Sequence, residues 1–258
     1  MGVPDRSTVL GKALLVLQAF TAEDHGLTLA ELVRRTGLPK TTVHRVVGDL
    51  LGARLLTQED GAYHLGGRLF ELGMLASLER TLMEVATPFL EDLYERTHET
   101  VHLGVREEGE VVYVAKVTGH RHGQSPTRIG GRMPVHSTAI GKALLAYADE
   151  SVRAEVLGRP LTRLTARTLT APGRLRQQLD AIVETGVAYE YEESAVGIVC
   201  AAAPILDAAD RPVAAVSVAG PPTRFRPDAV AGAVKAAAAG IAATLARREE
   251  MRASATRP

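Results

Sequence analysis

Between Leu38 and Leu51 the residues are spaced so that one face of a helix is apolar and the other can meet a polyanion. Val43, Val46, Val47, Leu50 and Leu51 fall at i, i+3, i+4, i+7 and i+8, a single stripe at helical period. Lys40, Thr41, Thr42, His44, Arg45 and Asp49 occupy the opposite face. A helix anchored in this way fits the major groove of double-stranded DNA, where an arginine fork matches the two acceptors of a guanine. Arg45 is placed for that contact, with His44 or Thr42 for a neighbouring base. Lys40 and Thr41, near the helix start, suit phosphates, helped by the helix dipole. Arg34, Arg35 and Arg54 are further phosphate candidates. Residues 32–48 carry Arg34, Arg35, Lys40 and Arg45 and no acid, so positive charge is concentrated on this stretch. The acids Glu59 and Asp60 a little further on would repel phosphate if they entered a groove.

Other residues invite chemistry less convincingly. Cys200 as a nucleophile, with Glu190 or His136 as base, would make the chain a small-molecule enzyme. An activated thiol needs a polar, partly open setting, whereas Ile198-Val199-Cys200-Ala201-Ala202-Ala203 is apolar. His120-x-His122 could meet a metal with His102 or His136, but loop histidines are usually only solvated. Glu190, Glu192 and Glu193 read as solvated loop charges. Gly141-Lys142 resembles the end of a phosphate-binding loop but lacks the glycine at 136 and the hydroxyl at 143. No metal and no cofactor is expected.

The elements that must position these residues follow from local pattern. Leu10, Ala13, Leu14 and Leu17 share one helical face, with Phe20 close by. Thr28 and Glu31 have capping-box spacing and open a helix that carries Leu32 and Val33 inward; Gly37 stands as its C-cap and Pro39 in the first turn of the next. Helix, turn, helix over about 28–47, with the second helix at 39–52, is followed by strands at 55–58 and 62–65 around Asp60-Gly61. This is a winged helix-turn-helix domain over 6–67. A linker helix is expected at 68–80, then a domain over 81–250 that opens with a helix near 82–97. Strands are expected at 102–106, 110–117, 187–191, 198–206 and 213–219, helices near 138–148, 151–157 and 173–185, and a closing helix at 227–250. Residues 118–133 read as a loop.

With 258 residues, 46% hydrophobic and 23% charged, the chain is globular and long enough for two domains. Thirty acidic residues balance thirty basic ones, which excludes a protein that coats nucleic acid through global charge. A single cysteine excludes an internal disulfide. No run approaches the ~18 uninterrupted apolar residues of a membrane helix, and no leader pattern is present, so a soluble, cytoplasmic protein without a membrane partner is expected.

Three separated motifs then carry a family resemblance. Leu38-Pro39-Lys40-Thr41-Thr42-Val43-His44-Arg45, with Tyr63-His64-Leu65-Gly66 closing the hairpin, resembles the DNA-binding half of IclR-family transcriptional regulators. Gly130-Gly131-Arg132-Met133-Pro134-Val135-His136-Ser137-Thr138-Ala139-Ile140-Gly141-Lys142-Ala143 is similar to that family's effector-domain loop and helix. So is Gly186-x3-Glu190-x-Glu192-Glu193-x3-Gly197-x2-Cys200-x3-Pro204-x2-Asp207. The resemblance covers about residues 7–250.

It implies an α+β chain: the winged helix-turn-helix followed by a GAF-like α/β effector domain with a mainly antiparallel sheet. It also implies a repressor, more than an activator, whose affinity for a palindromic operator responds to a small organic effector. Effector-binding positions carried over from the family are Thr138, Ala139, Ile140, Glu190, Ile198, Cys200, Ser217 and Ala219. Ala219 stands where carboxylate-binding relatives can have a hydroxyl, so a less polar ligand is expected. Homodimer and homotetramer both fit the family. An interaction module that has lost DNA binding is a further alternative, opposed by the intact run Lys40–Arg45.

Overall fold

The computed structural model describes residues 4–118 and 127–255, so His120-x-His122 lies outside the described residues. The chain divides into two compact units, Met1–Arg80 and Thr81–Pro258.

In the first unit α1 (Val9–Leu17), α2 (Leu29–Thr36) and α3 (Lys40–Gly52) precede a hairpin of β1 (Leu56–Glu59) and β2 (Ala62–Leu65). The Thr28/Glu31 spacing does what it predicts. Thr28 Oγ1 accepts from Glu31 N at 3.3 Å, and Glu31 Oε2 accepts from Thr28 N at 3.0 Å. Gly37 ends α2 at φ 63°, in the left-handed region that favours glycine. Pro39 is the N-cap of α3 rather than its first-turn residue, so the helix starts one residue later than expected. Val43, Val46, Val47 and Leu50 are buried with Val16, Leu27, Leu32 and Leu56. Asp60 and Gly61, at φ 49° and 79°, make the tight turn between the two strands. Leu27 exchanges both backbone hydrogen bonds with Tyr63, at 2.9 and 2.8 Å, which ties the wing to the start of α2.

The apolar residues of α1 divide between core and surface, with Ala13 and Leu17 packed against the core. Leu10 is 70% exposed and Leu14 is exposed as well, while Gly11 and Val16 are buried. The chain before α1 crosses so close to Gly11 that a Cβ there would lie 1.9 Å from the Asp5 carbonyl oxygen. That crossing covers Gly11, while Val16 is the α1 residue buried in the core of the unit. The single linker helix expected at 68–80 is corrected. Helix α4 (Gly67–Gly73) buries no residue and stops, and α5 (Ser77–Thr97) begins after a break of three residues.

The second unit continues from α5 with β3 (Thr100–Glu107), β4 (Glu110–Val117), β5 (Arg132–Pro134), α6 (Ala139–Ala146), α7 (Glu150–Leu157) and α8 (Pro172–Thr185). It ends with β6 (Ala188–Tyr191), β7 (Val199–Leu206), β8 (Pro212–Gly220) and α9 (Pro227–Ala255). The six strands form one sheet in the order β5-β4-β3-β8-β7-β6, antiparallel at every pairing. Strand β5 lies at the end of the stretch read as a loop, where three residues after two glycines give no periodic signal.

Alternation along the strands divides the sheet's two faces. Val101, Leu103, Ile205, Val216 and Val218 pack with α5 and α9. Cys200, Ala202, Ala215 and Ala219 face the side of α6 and α8. Branched residues fill the first face. Small ones line the second, leaving space between sheet and helix. Helix α9 is long and apolar enough in composition to cross a membrane, but Val234, Ala237, Ala238 and Ile241 are buried among core residues of the sheet.

Candidate functional site

The two candidate sites lie in different units. On α3, burial of the apolar stripe leaves Lys40, Thr41, His44 and Arg45 exposed, with Thr42 half-buried. Arg34 is exposed on α2, and Arg54 is exposed just after α3 with φ 58°. Arg35 is differently employed. Its fork donates to both carboxylate oxygens of Asp24, at 2.6 and 2.7 Å, and to the Ala19 carbonyl at 2.9 Å. The guanidinium holds the Asp24 carboxyl well below the usual carboxylate range. Arg35 therefore fastens α2 to the loop before it, a distant ion pair that sequence pattern does not reveal. Glu59 and Asp60 are exposed at the hairpin tip.

The second site is a cavity of about 340 Å³ between the small-residue face of the sheet and α6. Antiparallel pairing sets Glu190, Cys200, Ala219 and Thr100 side by side in one row across β6, β7, β8 and β3. Ser217 and His102 are paired in the next row on the same face. Thr138, Ala139 and Ile140 border the cavity from the start of α6, and Ile198 from the end of the loop before β7. All eight carried-over positions thus line one space. The structure adds Thr100, His102, Tyr113, Thr127, Ser194 and Arg224 to its wall. Period-two alternation along β3 was the available signal for Thr100 and His102; the others come from loops or non-local pairing.

Several groups there are fixed by hydrogen bonds. Thr138 caps α6, its Oγ1 accepting from Gly141 N at 3.0 Å. Helix α6 starts against the preceding strand end, where a Cβ on Gly141 would come within 2.3 Å of the Val135 carbonyl oxygen. His102 Nε2 lies 2.8 Å from Thr127 Oγ1, and its ring centroid is 5.2 Å from that of Tyr113.

The solvated reading of the glutamates is corrected for two of them. Glu190 is buried and accepts hydrogen bonds from the Ser194 backbone N–H, at 2.9 Å, and from the Ser194 hydroxyl. Burial pushes its carboxyl up to about 7, against the opposing pull of the Ser194 hydrogen bonds and Lys142. Glu193 is buried too, with Lys142 Nζ at 2.6 Å, and Lys142 also donates to Gln178 Oε1 at 3.1 Å. Glu193 Oε2 has no hydrogen-bond partner among the described residues. Glu192 is the one that stays near solvent, capping Gly197 N at 2.8 Å and pairing with Arg167 at 2.9 Å. Cys200 is buried, and burial pushes its thiol well above the ordinary value, the reverse of an activated nucleophile. No cluster of three metal-ligating side chains occurs among the described residues.

An exposed basic helix face on a winged helix-turn-helix, followed in the same chain by a domain with a cavity of mixed polarity, defines a DNA-binding regulator with a ligand-binding domain. Comparison with known proteins gives the family. Residues 9–60 match the IclR helix-turn-helix domain, and residues 75–243 match the bacterial transcriptional regulator IclR C-terminal domain. The chain is 35% identical to the HTH-type transcriptional regulator BhcR of Paracoccus denitrificans, covering 93% of this chain and 88% of that protein. It is 31% identical to the transcriptional repressor IclR of Escherichia coli, covering 86% and 82%. Its fold is similar to that of an IclR homolog from Microbacterium hydrocarbonoxydans solved with 4-hydroxybenzoate. The TM-score is 0.87 and the identity 31%, covering 93% of this chain and 100% of that one. The chain belongs to the IclR family of transcriptional regulators. The family and these relatives are DNA-binding regulators, not enzymes, and the nucleophilic reading of Cys200 finds no support among them.

Proposed function

We propose that the chain is a cytoplasmic repressor that binds a palindromic operator as a homodimer or a dimer of dimers and changes its grip on that operator when a small organic acid enters the cavity. The solvent-facing set on α3 carries the first half of this reading: its apolar stripe is fully used in the core, so Lys40, Thr41, Thr42, His44 and Arg45 are free for a groove. One α3 per copy, in successive major grooves of one duplex face, requires half-sites spaced by ~10 base pairs or a multiple. Arg34 and Arg54 would hold phosphates beside it.

The cavity supports the second half. Ile140, Ile198, Ala219 and Tyr113 give it apolar wall, while Thr138, Ser217, His102 and Glu190 supply a few hydrogen-bonding groups, the usual make-up of a small-molecule site. The similar Microbacterium protein holds 4-hydroxybenzoate. An aromatic acid also suits Ala219, which adds no hydroxyl. A ligand shifts operator affinity only by binding one state of the protein better than another, and a coupling of ~1–3 kcal/mol would change that affinity about 5- to 150-fold.

Selection of bound fragments from a random duplex library, with and without 4-hydroxybenzoate, tests the whole scheme. Enrichment of an inverted repeat whose yield changes with the acid is the expected result. Fragments without two-fold symmetry would remove the dimeric groove reading.

A further inference from the structure

Among the described residues lining the cavity there is one carboxylate, Glu190, and one guanidinium, Arg224, and they stand towards opposite ends of the row of strands beneath it. Glu190 begins the row that continues through Cys200 and Ala219 to Thr100. Three strand spacings separate the backbones at the two ends by about 14 Å. Arg224 is fixed at the Thr100 end. It comes from the turn between β8 and α9, and its Nε and Nη2 donate to the two oxygens of Glu99 at 2.8 and 3.0 Å. Glu99 is buried and immediately precedes Thr100. Gly220 makes this approach possible, since a Cβ there would lie 2.9 Å from Glu99 Cδ.

The pairing uses one edge of the fork. The other N–H donors of Arg224 take no partner among the described residues, and the side chain remains 38% exposed. A pair open to solvent on one side contributes little to stability, whereas a guanidinium held rigidly at a cavity wall is pre-organised to bind an anion. Lys142, the nearby buried cation, is already committed to Glu193 and Gln178. A carboxylate ligand placed at the other end would face the buried Glu190 instead.

We propose that Arg224, oriented by Glu99, binds the effector's carboxylate while Glu190 meets a hydroxyl at its far end, so that the cavity selects hydroxy acids of about the size of a hydroxylated benzoate. This rests on the reading of the cavity as the effector site. It names the end of the cavity that takes the charge and the side chain that takes it.

Calorimetry on the full chain with 4-hydroxybenzoate, benzoate and methyl 4-hydroxybenzoate tests it. The unmodified protein should bind 4-hydroxybenzoate more tightly than either of the others. Arg224→Met should weaken both acids about 10- to 100-fold, the scale of a lost charge-assisted hydrogen bond, and leave the ester unchanged. Because Arg224→Met removes the guanidinium paired with the buried Glu99 carboxylate, the double variant Glu99→Gln with Arg224→Met should show the same ligand profile in a chain that still unfolds cooperatively. Acid affinity that survives both variants overturns the proposal: the charge is then carried by the start of α6, and the cavity remains the effector site. Equal affinity of the unmodified protein for acid and ester overturns it as well. A protein that binds its operator but none of the three probes overturns the acid-effector reading and this proposal together.

Discussion

Lys142 Nζ and Glu193 Oε1 lie 2.6 Å apart with neither side chain in appreciable contact with water. Lys142 is on α6, and Glu193 lies in the loop after β6, from which Ser194, Val196 and Gly197 line the cavity. The pair therefore fixes two walls of the cavity relative to each other. Thr168 Oγ1, 2.7 Å from the Glu193 carbonyl oxygen, and Thr165 Oγ1, 2.7 Å from that of Glu192, donate to the same loop from outside.

Removing the cation should show how much depends on the pair. Lys142→Met leaves a buried, uncompensated carboxylate and should destabilise the second unit by ~3–5 kcal/mol. The double variant Lys142→Met with Glu193→Leu should recover most of that loss. Denaturant titrations of the two proteins decide the matter, and a double variant as unstable as the single one would show that the charge is not the cause.

Arg45→Ala should cost ~1–3 kcal/mol of operator affinity and relax selectivity at one base step. Lys40→Ala should weaken binding evenly across sequences and reduce its salt dependence. Binding measured on a set of single-base operator variants separates the two roles. A loss of selectivity in the Lys40 variant, with none in the Arg45 variant, would exchange them.

Ile140→Glu puts a charged side chain into the cavity wall without touching α3. It should abolish the response to effector and leave operator affinity as it was. A normal response in that protein would place the effector elsewhere.

Glu190 should make stability fall as pH rises. Its folded carboxyl holds a proton up to about 7, while the ordinary value for the free side chain is 4.5. Across that window the unfolded chain has released a proton that the folded chain keeps. The associated stability is full below the unfolded value and lost as pH climbs through the folded one, a change of ~3 kcal/mol. Glu190→Gln should flatten this slope. Urea unfolding followed by circular dichroism at pH 5 and pH 8 measures it, and equal slopes in the two proteins would refute the assignment.

What the sequence disclosed was local. The Thr28/Glu31 cap, the Val43–Leu50 stripe, the Asp60-Gly61 turn and the all-apolar β7 each depend on neighbours within a few residues, and each is where its pattern puts it. The errors come from partners far along the chain. Glu193 looks solvated until Lys142, 51 residues away, is seen beside it. Arg35 looks available until Asp24 closes its fork. Arg224 gives no signal because Glu99 is 125 residues distant.

The division of the sheet into a branched face and a small-residue face bears on how such a protein can change. Substitutions at Cys200, Ser217 or Ala219 alter the shape of the cavity while Val101, Leu103, Val216 and Val218 keep the other side packed. Chemical taste and structural integrity are thus written on alternate residues of the same strands. A lineage, or an engineer building a biosensor, can revise the first without redrafting the second.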